Sequence, residues 1–236
     1  MLDVICWKWR PKPGYRSKFN SQHVNVLRSM VERNYRKPHR FSCITDDPRG
    51  LDPRIRALPL SNELTHLKNP SFHDGPNCYP RLWAFSEEAK DVIGPRFVSF
   101  DIDIVITGDL VPVLDRPEDF IIWGDTAPST WYNGSMWMMT AGARKHVWER
   151  FDPQTSPQLA NASGQRGSDQ GWISYCLGPN EATWTTSDGI YSFRNHVMKR
   201  KGYELPQNAK VVVFHGAYDP WDRKAQRQAW VKNHWK

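Results

Sequence analysis

The sequence predicts an α/β domain with a central, mostly parallel mixed sheet flanked by helices, and three observations support this. The chain opens strand–helix–strand: Asp3–Trp7, a helix from Ser21 to Asn34, then Phe41–Thr45. Such a unit makes a parallel pair through a right-handed crossover. An apolar, β-branched run from Phe97 to Ile106 reads as a single buried strand near the sheet centre. Strand-like and helical stretches then keep alternating down to Val211–Phe214, with no repeat, low-complexity tract or linker. At 236 residues the chain is read as one domain, 1–236, long enough for a substantial core.

Each element has a local reason. The first strand leads into a loop rich in Pro, Gly, Lys and Arg, from Lys8 to Lys18. In the helix, Val24, Leu27, Met30 and Val31 recur at helical spacing, with Asn20 or Ser21 placed to cap it. Phe41–Thr45 runs into Asp46-Asp47-Pro48. Parallel sheets bind ligands outside the carboxyl ends of their strands, so residues 7–10 and 45–47 are expected at one rim. Asp46 is then a candidate for the base or ribose of a nucleotide, or simply an acidic turn before Pro48.

Residues 50–78 read as an irregular connection with a short strand at Ile55–Leu58; a loop this long is more often functional than idle. Tyr79–Lys90 reads as a helix carrying Leu82, Trp83, Phe85 and Ala89. Its first turn holds Arg81, which either reaches a phosphate or sits on the surface. Asp119–Trp123 reads as a strand, and Trp131–Ser135 opens another that runs through Met139. A helix over Ala143–Phe151 and a flexible polar loop over 152–167 follow. Ser168 is placed to cap a helix opening at Asp169-Gln170. Ala182–Thr185 and Ile190–Phe193 are strand-like. Val211–Phe214 delivers His215 to a strand end, where Gly216 permits a sharp turn.

Composition narrows the classes. No apolar run has the length of a membrane span, and the N-terminus enters a strand without a signal-peptide pattern. Four widely spaced cysteines form no CxxC pair, which argues against a disulfide framework or a zinc site. A cytoplasmic protein is expected. The net charge of +7 is concentrated: Lys8 to Arg40 holds ten Lys/Arg against the one acid Glu32, and the segment after Trp221 is also basic. Such a surface can attract nucleic acid, a phosphorylated substrate or another anionic acceptor, or an anionic membrane surface at the periphery, or is a solvated face.

The chemistry centres on Asp101 and Asp103. On a strand, residues i and i+2 share a side, so both carboxylates are expected to face one target. Two buried carboxylates need a cationic partner. A hard divalent ion with oxygen ligands is the simplest one, and it would carry the phosphates of a nucleotide with it. The plainer alternative is a strand ending in a polar loop. His215 can complete such a site as a neutral imidazole, although a lone histidine at a strand end is usually structural. The remaining histidines show no ligand spacing.

Four motifs occur in an order that resembles the GT-A fold glycosyltransferases of the glycogenin-like and lipopolysaccharide galactosyltransferase type. They are Asp101-Ile102-Asp103 behind a helix with Arg81, Asn133-Gly134-Ser135, Asp169-Gln170, and His215-Gly216-Ala217-Tyr218-Asp219-Pro220-Trp221. The resemblance implies a Rossmann-like GT-A domain. It also implies a nucleotide-sugar donor, a UDP-sugar, bound through Mn²⁺ or Mg²⁺ and transferred with retention to a glycan, lipopolysaccharide or protein acceptor. By the same resemblance, Asp101, Asp103 and His215 hold the metal, with Asp101 also on the ribose. Trp7, Arg10 and Asp46 frame the nucleoside, and Arg81, by its place in the preceding helix rather than by the resemblance, is a candidate for the phosphates. Asp125, Asn133, Asp169 and Gln170 line the sugar and acceptor side, Asp169 being the general base if the reaction inverts.

Two departures stand out. The family's Asn-Ser-Gly is permuted to Asn-Gly-Ser, and Asp219 stands where the family often has a diphosphate-contacting lysine. Lys8, Arg10, Lys12 or Arg223 are candidates to replace that lysine. The competing classes are a nucleotidyltransferase, for which the Gly-rich phosphate loop is missing, and a non-enzymatic nucleic-acid or carbohydrate-binding module. The module leaves the acidic pair without a role, and nucleic acid is not an expected partner.

Overall fold

The computed structural model describes residues 1–10, 18–61, 63–71, 77–124 and 130–236. The opening unit forms as the pattern predicts. Strand β1 (Leu2–Lys8) is buried along its length, helix α1 spans Ser21–Asn34, and β2 (His39–Thr45) pairs with β1 in parallel. Next come β3 (Arg56–Pro59), α2 (Ala89–Val92), β4 (Arg96–Phe100), β5 (Ile104–Ile106), α3 (Val111–Leu114), β6 (Phe120–Trp123) and β7 (Asn133–Thr140). The chain continues through α4 (His146–Glu149), α5 (Ser156–Ala162), α6 (Asp169–Leu177), β8 (Thr183–Trp184), β9 (Ile190–Ser192), β10 (Val211–Val213), α7 (Arg223–Gln226) and α8 (Ala229–His234).

The large sheet has the order β3-β2-β1-β4-β7-β6-β8. Strands β3, β2, β1 and β4 run parallel, β7 is antiparallel to both neighbours, and β8 is parallel to β6. A small sheet, β5-β10-β9, lies beside it, with β5 antiparallel and β9 parallel to β10. Side chains alternate along β1: Val4 and Cys6 enter one apolar cluster with α1 and the small sheet, while Ile5 and Trp7 enter the other. That period of two buries β1 on both faces.

Helix α1 begins with a reciprocal cap. The Asn20 side chain accepts the His23 N–H at 3.2 Å, and His23 Nδ1 accepts the Asn20 N–H at 3.3 Å. Histidine thus takes the place usual for Glu or Gln in a capping box. Its ring also stacks on Trp221, with centroids 3.9 Å apart. Burial lowers the His23 pKa below its ordinary 6.5, so the dry side of the ring outweighs the attraction of a cation to the indole face. The folded pKa is the lower one. The stability it contributes is therefore present above pH 6.5 and is lost as pH falls toward the folded value. His23→Gln keeps the acceptor without the titration. Between about pH 7.5 and pH 5 it should lose less unfolding free energy than the native chain, by roughly 1 kcal/mol, the scale of one cap. Urea melts at the two pH values check this.

Four sequence expectations need correction. Phe97–Ile106 is not one strand. β4 ends at Phe100, and β5 starts at Ile104 in the other sheet. Tyr79–Lys90 is a 3-10 helix, Tyr79–Phe85, with Pro80 in its first turn; Ser86 is extended at φ −70° and ψ 159°, so the coil breaks there before α2. The polar stretch 152–167, read as a flexible loop, contains α5, opened by Pro157 in its first turn. Ser168 precedes α6 but makes no capping bond; its hydroxyl accepts the Cys78 N–H at 3.0 Å instead.

Candidate active site

The site is built on the crossing between the two sheets. The Asp101 N–H donates to Ser135 O at 2.8 Å, which extends the pairing of β4 with β7 by one residue. The Phe214 N–H donates to Asp103 O at 3.1 Å, so by Asp103 the backbone already belongs to the small sheet. Ile102 between them is buried. The two carboxylates therefore flank a turn where the chain changes sheets. Their proximity comes from that turn, and not from the shared strand face that i, i+2 spacing implies.

Arg81, expected near a phosphate or on the surface, is buried between two acids. Its Nη1 donates to Asp101 Oδ1, and its Nε donates to Asp169 Oδ2 at 2.7 Å. Only 6% of its side chain and 2% of that of Asp169 are exposed, so solvent screens this pair little. Burial alone would lower the Arg81 pKa, but Asp101 and Asp169 outweigh it and hold the guanidinium protonated. Burial also raises the Asp169 carboxyl, and Arg81 opposes that shift. Gly134 is the backbone wall of this cluster. A Cβ there would stand 2.9 Å from Arg81 Nη2 and 3.0 Å from Asp169 Oδ2. The permuted Asn-Gly-Ser thus has a physical reason: residue 134 is where the ion cluster presses, and Ser135 supplies only its carbonyl to Asp101.

Asp103 is partly buried, and its carboxyl is raised well above the ordinary range, first by burial, then by Asp101 and Asp219. Asp219 is itself buried. Asp101 and Asp103 thus flank the crossing and Asp219 adds its charge to theirs, while Arg81 is engaged by Asp101 and Asp169. That crowding suits a hard cation with oxygen ligands. His215 does not join it in this arrangement. Its Nε2 lies 2.7 Å from Ser192 Oγ, and its ring packs 6.0 Å from that of Trp123. Burial, Arg194 and His196 lower its pKa to about 4, so the ring is neutral near pH 7. Among the described residues no three His, Cys, Asp or Glu side chains are arranged to hold a metal. The expected set of Asp101, Asp103 and His215 therefore fits in its carboxylates but is not assembled through its imidazole.

The expected rim does form. The Arg10 N–H donates to Asp46 Oδ2 at 3.2 Å, and Lys8 Nζ donates to Asp47 O at 2.6 Å. Beside it lies a cleft of about 430 Å³ lined by Trp9, Arg10, Phe19 and Asp47. Trp7 is not part of this rim. It is buried, and its Nε1 donates to Ser99 Oγ at 3.0 Å, so the alternation that buries β1 takes it into the core. Trp9, beyond the strand end, lines the cleft instead. Asn133 turns its Oδ1 onto the Ser135 N–H at 2.9 Å and shapes the start of β7. Gln170 is half-exposed on the first turn of α6. Arg223 is exposed at the start of α7. Asp125 and Lys12 lie outside the described residues. Sequence reasoning missed Asp219 as a member of the acidic group and Arg194 as a neighbour of His215. The departure from lysine at 219 was the one signal available.

No protein-family model matches the chain, and no curated protein matches it in sequence. Solved structures do match. The galactosyltransferase LgtC, in complex with donor and acceptor sugar analogues, superposes with a TM-score of 0.66 at 14% identity. The match covers 98% of this chain and 93% of that one. An active-site glutamine-to-glutamate variant of LgtC matches at a TM-score of 0.65 and 14% identity, with the same coverages of 98% and 93%. The glycosyltransferase GlyE of Streptococcus pneumoniae TIGR4 matches at 0.59 and 11% identity, over 99% of this chain and 63% of that one. Mouse xyloside xylosyltransferase 1 matches at 0.52 and 11%, over 91% and 97%. The chain has the GT-A fold of these glycosyltransferases. In extent it corresponds to LgtC, nearly end to end.

Proposed function

We propose that the protein is a glycosyltransferase that moves a sugar from a nucleotide-sugar donor, a UDP-sugar, to a glycan acceptor, with a divalent ion and with retention. The observation that carries this reading is the placing of Asp101 and Asp103 on either side of the turn where the chain crosses between the two sheets, in a fold that LgtC and GlyE share. Asp101 and Asp103 would hold Mn²⁺ or Mg²⁺, and His215 would join them only by exchanging its bond to Ser192. When bound, the ion neutralises charge on the nucleoside diphosphate leaving group.

The protein's own groups do the rest. The rim at Arg10, Asp46 and Asp47 receives the nucleoside, and Trp9 offers an aromatic face to the base. Arg81 fixes the Asp101 carboxylate in place. Asp169 is tied to the same guanidinium, so it positions Arg81 and is poorly placed to take a proton. That favours retention over an inverting path through Asp169. Gln170, next along α6 and half-exposed, is then the residue that meets the sugar, in keeping with an active-site glutamine in LgtC. The basic N-terminal segment would suit an anionic acceptor. Among the described residues no helix is long and apolar enough to cross a membrane.

The test is calorimetric titration of UDP, with and without Mn²⁺, followed by a screen of UDP-sugars for transfer or hydrolysis with the anomer read by NMR. Metal-dependent UDP binding is expected. A chain that binds no nucleoside diphosphate with either Mn²⁺ or Mg²⁺ is not this enzyme.

A further inference from the structure

The end of β9 carries a cation that the reading above leaves without a task. β9 and β10 run parallel, with Ser192 opposite Val213. The pairing continues past the ladder: the Phe193 N–H donates to Val213 O at 2.9 Å, and the Phe193 and Phe214 rings stack with centroids 4.3 Å apart. The next residues on the two strands are Arg194 and His215. Both therefore emerge at the carboxyl ends of parallel strands, where α/β sheets bind ligands. The turn is tied down from both sides, because Ser192 Oγ accepts the Asn195 N–H at 2.9 Å while it meets His215 Nε2.

Arg194 folds over the turn after β10. Its Nη1 stands 3.3 Å from where a Cβ on Gly216 would be, and Gly216 has φ +71°, so the backbone comes close under the guanidinium with no side chain between. The residue is exposed. Arg81, Arg116 and Arg144 are each held by two carboxylates, whereas no ion pair among the described residues uses Arg194. Its charge also bears on the His215 ring, and the Phe214 N–H that precedes that ring donates to Asp103 O, so this strand end adjoins the crossing that carries Asp103.

We infer that Arg194, over the Gly216 turn, is the diphosphate-binding cation of the site. This rests on the nucleotide-sugar reading and adds a residue to it. A diphosphate needs positive charge on more than one side. The carboxylates at the crossing would supply it only through a bound ion, and Asp219 adds negative charge. The guanidinium fork matches two phosphate oxygens, and it is already placed beside the strand end without an acid to occupy it.

The experiment is calorimetric titration of UDP, uridine and inorganic pyrophosphate, in Mn²⁺, into the native protein, Arg194→Ala and Arg194→Lys. Thermal denaturation serves as the control that this exposed position leaves the fold intact. Arg194→Ala should weaken UDP and pyrophosphate by about 10- to 100-fold, the scale of a charge-assisted hydrogen bond, and leave uridine unchanged. Arg194→Lys should recover part of the loss. If the native protein binds UDP and Arg194→Ala binds it equally well, Arg194 is not the phosphate cation and the donor reading stands. If pyrophosphate binds through Arg194 while no nucleotide does, the subsite stands and the donor class is wrong. If the native protein binds neither UDP nor pyrophosphate, both fall.

Discussion

Arg81→Met is expected to destabilise the protein by about 3–5 kcal/mol, the cost of removing one partner from a buried ion cluster. The effect is this large because two acids depend on one guanidinium. Asp169 is almost fully buried and loses the donor on its Oδ2, while Asp101 loses the contact that sets its orientation. Lysine is no substitute, since a single ammonium cannot reproduce donors from Nε and Nη1 in two directions. The companion variant Arg81→Met/Asp169→Leu removes both buried charges and should regain a good part of the stability. Urea unfolding of the single and double variants decides the matter. A single variant as stable as the native chain would mean that the acids find other partners, and Gly134 would lose its reason for being glycine.

Asp103→Asn should act in the opposite direction on the fold and remove function. In the metal-free protein this carboxyl is raised by burial and by the charges of Asp101 and Asp219, so its ionisation opposes folding. The folded pKa lies above the ordinary 3.8. The stability linked to it is therefore present below that value and is lost as pH rises through the folded one. The asparagine variant escapes the loss, and its advantage over the native chain should open as pH climbs and be absent in strong acid. Mn²⁺-dependent UDP affinity should fall by about 100-fold or more, since even partners of metal ligands cost 10- to 100-fold when changed. Calorimetry and melting on the same samples test both halves. A variant that keeps metal-dependent binding would remove Asp103 from the proposed ligand set.

Much of this was legible in the chain. The strand–helix–strand opening, the ends of α1 and the short strands down to Val211 follow from apolar periodicity and caps, which are local properties. So are the candidate acids, since carboxylates inside an apolar run announce a task wherever they fall. The rim joining Arg10 to Asp46 was legible too, because parallel pairing brings the ends of β1 and β2 together. The fates of Trp7 and Trp9 were not, because which tryptophan is core depends on what lies over each face of β1.

What the sequence determined by itself is the fold class and the candidacy of Asp101 and Asp103. Tertiary structure alone decided how those acids are used. It broke Phe97–Ile106 between two sheets and set Arg81 as a buried bridge from Asp101 to Asp169. It also turned His215 onto Ser192, and brought Arg194 over the Gly216 turn. The physical reason is range. Periodicity and capping act over a few residues, whereas a carboxylate's charge state and partners depend on groups that arrive from dozens of residues away: Arg81 and Asp169 are 88 positions apart, and one 2.7 Å contact joins them.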